Sequence, residues 1–278
     1  MINSNIIDIK INFIPMEFRV DTTDDGYGSE YWRNIENGSY EIDTFTLISK
    51  YSASKKIFVD IGAANGAISI FAAKLGYKVI SIEANRDVFQ VLQRNITLNS
   101  DITKLIHLEN SVLVSREDLN SSQNIFKEGL LTEISRSGSS IDAFKNSKLI
   151  DIDSIFEIYK NTQYFLKIDI EGSEWRLFNS KSFMNAIRRH DVIMLVALHP
   201  GLNRPLELLT KKKYLKFLPK KTLWRLLVIK DSMKFHSQLN EFSICRTNGA
   251  TIRNRFKFLA LMIGGYHEYL IEIKTKNN

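Results

Sequence analysis

The chain has 278 residues, of which 44% are hydrophobic and 25% charged, so it has the composition of a globular protein with enough length to bury a full core. Disordered, fibrous and collagen-like classes are excluded on that ground. Its longest apolar run, residues 192–198, falls far short of the ~20 residues that cross a bilayer. The start, "MINSNIIDIKINF", has no basic lead and interrupts its apolar residues with Asp8 and Lys10, unlike a signal peptide; a cytoplasmic location is expected. Cys245 is the single cysteine, which rules out an intramolecular disulfide and a cysteine-built metal site. The formal charge of +7 is uneven: between Arg204 and Lys234 ten Lys/Arg face only Glu207 and Asp231.

Residues 1–56 read as a lead-in segment, irregular at first, with turns in "TTDDGYGSE" and at Asn37-Gly38. Phe45, Leu47, Ile48 and Tyr51 then recur at helical spacing. A strand is expected over 57–61, a glycine loop, a helix carrying Ile68, Phe71, Ala72 and Leu75, and a stop at Gly76. Further strands are expected over 78–82, 104–108, 164–170 and 191–198, with helices over 88–98, 153–159 and from about Ser173. Alternating short strands and helices imply a parallel sheet covered on both faces. Residues 111–148 give a weak pattern. Two β-rich runs, 257–263 and 268–274, flank "GGYH" in the form of a hairpin. The expected architecture is thus α/β and Rossmann-like, a mostly parallel sheet with an antiparallel C-terminal hairpin, in one domain over 57–278 with a basic insertion near 204–240.

Gly62 and Gly66, in "FVDIGAANGAIS", lie between a strand and a helix, where backbone can approach a ligand and N–H groups are free. The dinucleotide fingerprint requires G-x-G-x-x-G, but Ala64 holds the central position and no third glycine follows, which argues against a nicotinamide cofactor. Glu83 ends the second strand, where an acid accepts both hydroxyls of a ribose. S-adenosylmethionine has a ribose and a charged amino-acid part but no phosphate, so its site calls for acids more than for a phosphate nest. In that reading Asp60 receives the ammonium or orders the loop, Glu83 takes the ribose, and 62–66 faces the methionine part. The plainer alternative is a turn with incidental acids.

"FLKIDIEGSEW" (165–175) repeats the arrangement with Asp169, Glu171, Gly172 and Glu174. Strand-end acids in an open α/β sheet are expected to face the ligand crevice. Asp169 is a candidate to orient the methionine group or accept a hydroxyl proton, and Glu171 and Glu174 to bind substrate; Glu174 alternatively only opens a helix. His199 ends the fifth strand and is the histidine suited to general-base work, or to a structural role. Asp169, Glu171 and His199 offer metal-ligand atoms, yet the chain lacks an H-x-x-x-H or comparable spacing, and no metal is expected.

"FVDIGAANGAISIFAAKLGYKVISIEAN", "NITLN", "IDSIF" and "FLKIDIEGSEW" occur in the order and spacing of the FkbM family of S-adenosylmethionine-dependent methyltransferases, and "ENGSYEIDTFTLI" resembles the segment before that family's first strand. The resemblance runs from about Tyr40 to His199. It implies a class I methyltransferase fold, S-adenosylmethionine as cofactor, and O-methylation of a hydroxyl, commonly on a sugar or natural product. It places Asp60, Gly62, Ala64, Asn65, Gly66, Glu83 and Ala84 at the cofactor, with Asp169 and Glu171 at the site. The chain departs from the family pattern at Ala84, where proline is usual, and at Ala197, where an acid is usual. The basic stretch 209–235 interleaves cations with Tyr214, Phe217, Leu218, Leu223, Trp224 and Leu227. It reads as a solvated helical pair broken at Pro219, or as a peripheral contact with anionic lipid. The expected acceptor is a saccharide or glycolipid. Nucleic acid is the weaker reading, and a non-catalytic scaffold the remaining one.

Overall fold

The structure is a computed structural model that describes residues 6–23, 27–54, 56–120, 144, 147–160, 162–199, 220–239, 242–264 and 268–273. The chain divides into two compact units, the first comprising 1–113, 146–150 and 154–167, the second 114–145, 151–153 and 168–278.

In the first unit β1 (Ile6–Ile11) and β2 (Met16–Asp21) form an antiparallel hairpin. Residues expected to be irregular are therefore ordered strands. Ile9, Ile11, Phe18 and Val20 alternate inward while Asp8 and Lys10 face solvent, so the charges that argue against a signal peptide are the wet face of a strand. α1 (Gly28–Asn37) and α2 (Ile42–Tyr51) follow, with Gly38 ending α1 at φ 74°, a left-handed cap that favours glycine.

β3 (Ile57–Ile61), β4 (Lys78–Ile82) and β5 (Ile106–Glu109) run parallel, and β8 (Gln163–Ile168) lies beside β3. Every residue of β3 is buried, as both-face coverage requires; α3 (Ala67–Lys74) and α4 (Arg86–Thr97) connect the strands. Phe45 packs edge-on against Phe71 at 4.7 Å. The pairing sets Ile61 level with Ile82 and Ile82 level with Glu109. Gly62, Glu83 and Asn110 consequently emerge together at one sheet edge. β6 (Ser111–Val114) and β7 (Lys148–Asp151) make a separate two-stranded sheet, and in sequence α5 (Arg116–Asn120) follows β6 and α6 (Ile152–Ile158) follows β7. Asp153 sits inside the first turn of α6 rather than capping it.

The second unit holds α7 (Glu174–Phe178), α8 (Lys181–Arg189), β9 (Asp191–Ala197), α9 (Lys220–Gln238), β10 (Phe242–Arg246), α10 (Arg255–Ile263) and β11 (Glu268–Ile273). β11 pairs antiparallel with both β9 and β10. The antiparallel C-terminal pair is present, but its first strand is β10; the expected strand over 257–263 is a helix. Asn254 caps that helix by accepting from the Phe256 N–H at 2.7 Å, and Phe258 and Met262, one turn apart, are both buried. Phe235 lies within 5.7 Å of the rings of Trp175, Phe178 and Phe258. The basic stretch contributes α9, which buries Val228, Ser232 and Phe235 along one stripe. Residues 200–219, with Pro219, lie outside the described residues. Among the described residues no helix is long and apolar enough to cross a membrane.

Candidate active site

The turn from β3 into α3 is built from three left-handed residues, Gly62 at φ 84°, Ala64 at 51° and Gly66 at 89°. Glycine takes that conformation without cost; Ala64 does not. Its N–H donates to Glu83 Oε2 at 3.0 Å, a charge-assisted bond that compensates the strain. The Gly62 and Ala63 N–H groups both donate to the Ile82 carbonyl. Those two amides are thus spent on the β4 edge and offer no anion nest, in keeping with a ligand that lacks phosphate.

Glu83 also accepts from the Asn85 N–H at 2.8 Å through Oε1. One carboxylate therefore ties the glycine turn to the turn after β4, with lone pairs remaining on both oxygens. Burial pushes its pKa up to about 7, against the pull of the Asn85 and Ala64 N–H groups, and the nearby charge of Asp60 adds to the rise. Asn110 Nδ2 donates to the Glu83 carbonyl at 2.8 Å, and Ser147 Oγ to the Ala84 carbonyl at 2.6 Å.

Asp60 is 0% exposed and accepts from Ser69 Oγ at 2.6 Å, which in turn accepts from Ser81 Oγ at 2.7 Å. Buried Lys167 places its ammonium 4.0 Å from Asp60 Oδ1. Asp60 therefore ties α3 to the sheet through Ser69. Asn65 Oδ1 accepts from the Ala67 N–H at 3.2 Å and from Tyr31 Oη at 3.4 Å. Its amide nitrogen is buried and has no acceptor among the described residues.

Of "NITLN", whose motif carries no assigned chemistry, Asn95 holds this turn from behind and Asn99 holds β2. Asn95 Nδ2 donates to the Asn65 carbonyl at 2.8 Å while its Oδ1 accepts from the Asp21 N–H. Asn99, one turn on, bridges the N–H and carbonyl of Arg19. Both asparagines are buried and take partners outside the helix.

The second unit takes up the chain at the end of β8 with a turn that has Glu171 at φ 52° and Gly172 at 99°. Glu174, the first residue of α7, is 0% exposed. Its carboxylate accepts from the Ile170 N–H at 2.9 Å and from the Gly172 N–H at 3.0 and 3.2 Å. It is consequently not available to a substrate, and its work is to close the turn. The same carboxylate lies 3.2 Å from His199 Nδ1. The far ring nitrogen, Nε2, is 3.7 Å from Asp169 Oδ1 and 3.9 Å from Glu171 Oε2, and Trp175 Nε1 donates to the His199 carbonyl at 3.2 Å. Burial pulls the His199 pKa down, but the bond to Glu174 and the charges of Glu174, Asp169 and Glu171 outweigh it and hold it up at about 9. Asp169, Glu171 and His199 are thus brought together, as their strand-end positions imply.

Residues 60–214, more than half of the chain, match the family model described as Methyltransferase FkbM domain. The chain belongs to the FkbM family of S-adenosylmethionine-dependent methyltransferases. A curated relative, ribosomal protein L11 methyltransferase of Ruminiclostridium cellulolyticum, is 40% identical over 60 residues, 21% of this chain and 19% of its own. Among solved structures, a SAM-dependent methyltransferase from Agrobacterium tumefaciens is matched at 11% identity and a TM-score of 0.35, over 69% of this chain and 53% of that one. An O-methyltransferase from Bacillus cereus in complex with SAH is matched at 10% identity and a TM-score of 0.42, over 84% and 81%. This chain therefore spans about a fifth of the curated relative and about half of the first of these structures.

The residues present fit the FkbM family's cofactor. Glu83 offers acceptor lone pairs for ribose hydroxyls, and the buried Asn65 amide offers a donor that the described residues leave unused. Glu83, after β4, is hydrogen-bonded to the turn that carries Asn65.

Proposed function

We propose that this chain transfers a methyl group from S-adenosylmethionine to a hydroxyl of a saccharide or glycoconjugate. The carrying observation is the Glu83 carboxylate, which locks the glycine turn through Ala64 and Asn85 and keeps lone pairs on both oxygens. Glu83 holds the ribose, and the Asn65 amide donates to the carboxylate of the methionine part. Bound cofactor supplies a methyl group activated on sulfonium.

Asp169 accepts the proton that the acceptor hydroxyl loses. A ring held protonated up to about pH 9 is a poor general base at neutral pH, so His199 steadies the neighbouring carboxylates and Glu171 contacts the acceptor. Most of the rate comes from holding hydroxyl and methyl in line. Exposed Leu226 and Ile229 on α9, beside exposed Lys230 and Lys234, support a peripheral contact with anionic lipid where a glycolipid acceptor is met.

The test is mass spectrometry of glycans from cells with and without the protein, and of the same glycans incubated with the protein and S-adenosylmethionine. One methyl group lost in the first comparison and gained in the second is the expected result. Glycans identical in both comparisons contradict the acceptor class.

A further inference from the structure

We infer that Asp169, Glu171 and His199 form a binding site for one divalent metal ion of the manganese and magnesium class. One ligand atom from each lies within 4.8 Å of the others, and among the described residues no other group of three His, Cys, Asp or Glu side chains converges in this way. His199 is oriented as a ligand, its Nε2 proton being displaced when the ion binds. Its Nδ1 faces the buried Glu174 carboxylate at 3.2 Å, leaving Nε2 directed at Asp169 and Glu171 at 3.7 and 3.9 Å. A carboxylate on the far ring nitrogen is the usual support of a metal-bound imidazole, since it fixes the tautomer and the ring plane. Glu174 is itself fixed by the Ile170 and Gly172 N–H groups, so the support is rigid.

Ligands about 2.0–2.2 Å from a cation stand about 3.0–3.6 Å apart. The two separations from His199, 3.7 and 3.9 Å, and the outer bound of 4.8 Å on the third therefore close on a cation with side-chain movements on the order of an ångström or less. Glu171, whose side chain is 59% exposed, has room to make them. Two carboxylate oxygens and one imidazole, with no thiolate, form a hard-to-borderline set that suits manganese or magnesium and not copper(I). Three protein ligands leave positions for water or for the acceptor oxygen; only that last role rests on the methyltransferase reading, since binding of the ion does not.

The test titrates manganese(II) into the full-length chain after chelator treatment, following loss of the free-ion electron paramagnetic resonance signal. One ion per chain is expected, bound at least about 10-fold more weakly by Asp169→Asn and His199→Ala. Glu171→Gln changes an exposed side chain and tests the site where the other variants fail to fold; it is expected to weaken binding by a smaller factor. No loss of signal with the wild-type chain, or wild-type affinity in all three variants, overturns the site. S-adenosylmethionine binding is measured on the same samples. Cofactor binding without manganese overturns the metal site alone, and manganese binding without cofactor supports it while overturning the cofactor reading.

Discussion

Glu83 and Glu174 each follow a buried strand by a few residues, and each uses its carboxylate to collect the backbone N–H groups of a left-handed turn. Their surroundings then diverge. Glu83 is tied down by neutral amides, and burial raises its pKa to about 7. Glu174 is paired with His199, whose ring stays protonated to about pH 9 among three acids. A turn whose acid keeps an unmet demand for donors is suited to grip a ligand. A turn whose acids share a cation is suited to hold charge steady while a proton moves. The same local grammar thus yields a carboxylate held by neutral amides in one unit and a charge cluster in the other.

The largest expected effect separates the two regions outright. Asp169→Asn keeps size and shape but removes the proton acceptor, so transfer is expected to fall by about 10²–10⁴-fold, with cofactor affinity by calorimetry unchanged. Full turnover in that variant removes Asp169 from the chemistry. A smaller effect comes from pH. Below about 7 the Glu83 carboxyl takes up a proton and accepts ribose hydroxyls poorly, so cofactor affinity is expected to drop as pH falls, by up to about 10-fold per unit for a single competing proton. Affinity measured from pH 8 down to pH 5.5 checks the sign; a flat profile contradicts the assignment.

The smallest effect concerns the bend itself. Gly66→Ala adds a Cβ 2.6 Å from Leu92 Cδ1 at φ 89°, whereas Gly76→Ala, at φ 91°, meets nothing within 4 Å. Both carry about 1–2 kcal/mol of left-handed strain, and Gly66→Ala is expected to lose further stability in denaturant unfolding from packing. Equal losses mean that Leu92 yields.

Much of this was legible in the sequence, because the parallel strands are uniformly apolar and short. β3 and β4 fall exactly where the apolar runs place them, and the acids after β4 and β8 sit at strand ends. In the hairpin β1–β2 the charges of the wet face alternate with Ile9, Ile11, Phe18 and Val20, a pattern present in the sequence but short in each strand. The run 257–263 misled because "KFLALMI" is apolar on both periods, and only the Asn254 cap and the Phe258–Met262 spacing select the helix. Glu174 looks like an exposed helix-start acid in sequence; its burial depends on Ile170 and Gly172 turning their amides inward, which no local pattern encodes. Asn95 reaches the glycine turn and Asn99 reaches β2 across long sequence distances, beyond the reach of periodicity.

Calorimetric titration of S-adenosylmethionine into the wild-type chain and into Glu83→Ala tests the central claim most directly. One site per chain in the wild type, weakened about 10–100-fold in the variant through loss of charge-assisted hydrogen bonds, is the predicted result. No binding by the wild type, or the same affinity in both proteins, would contradict it.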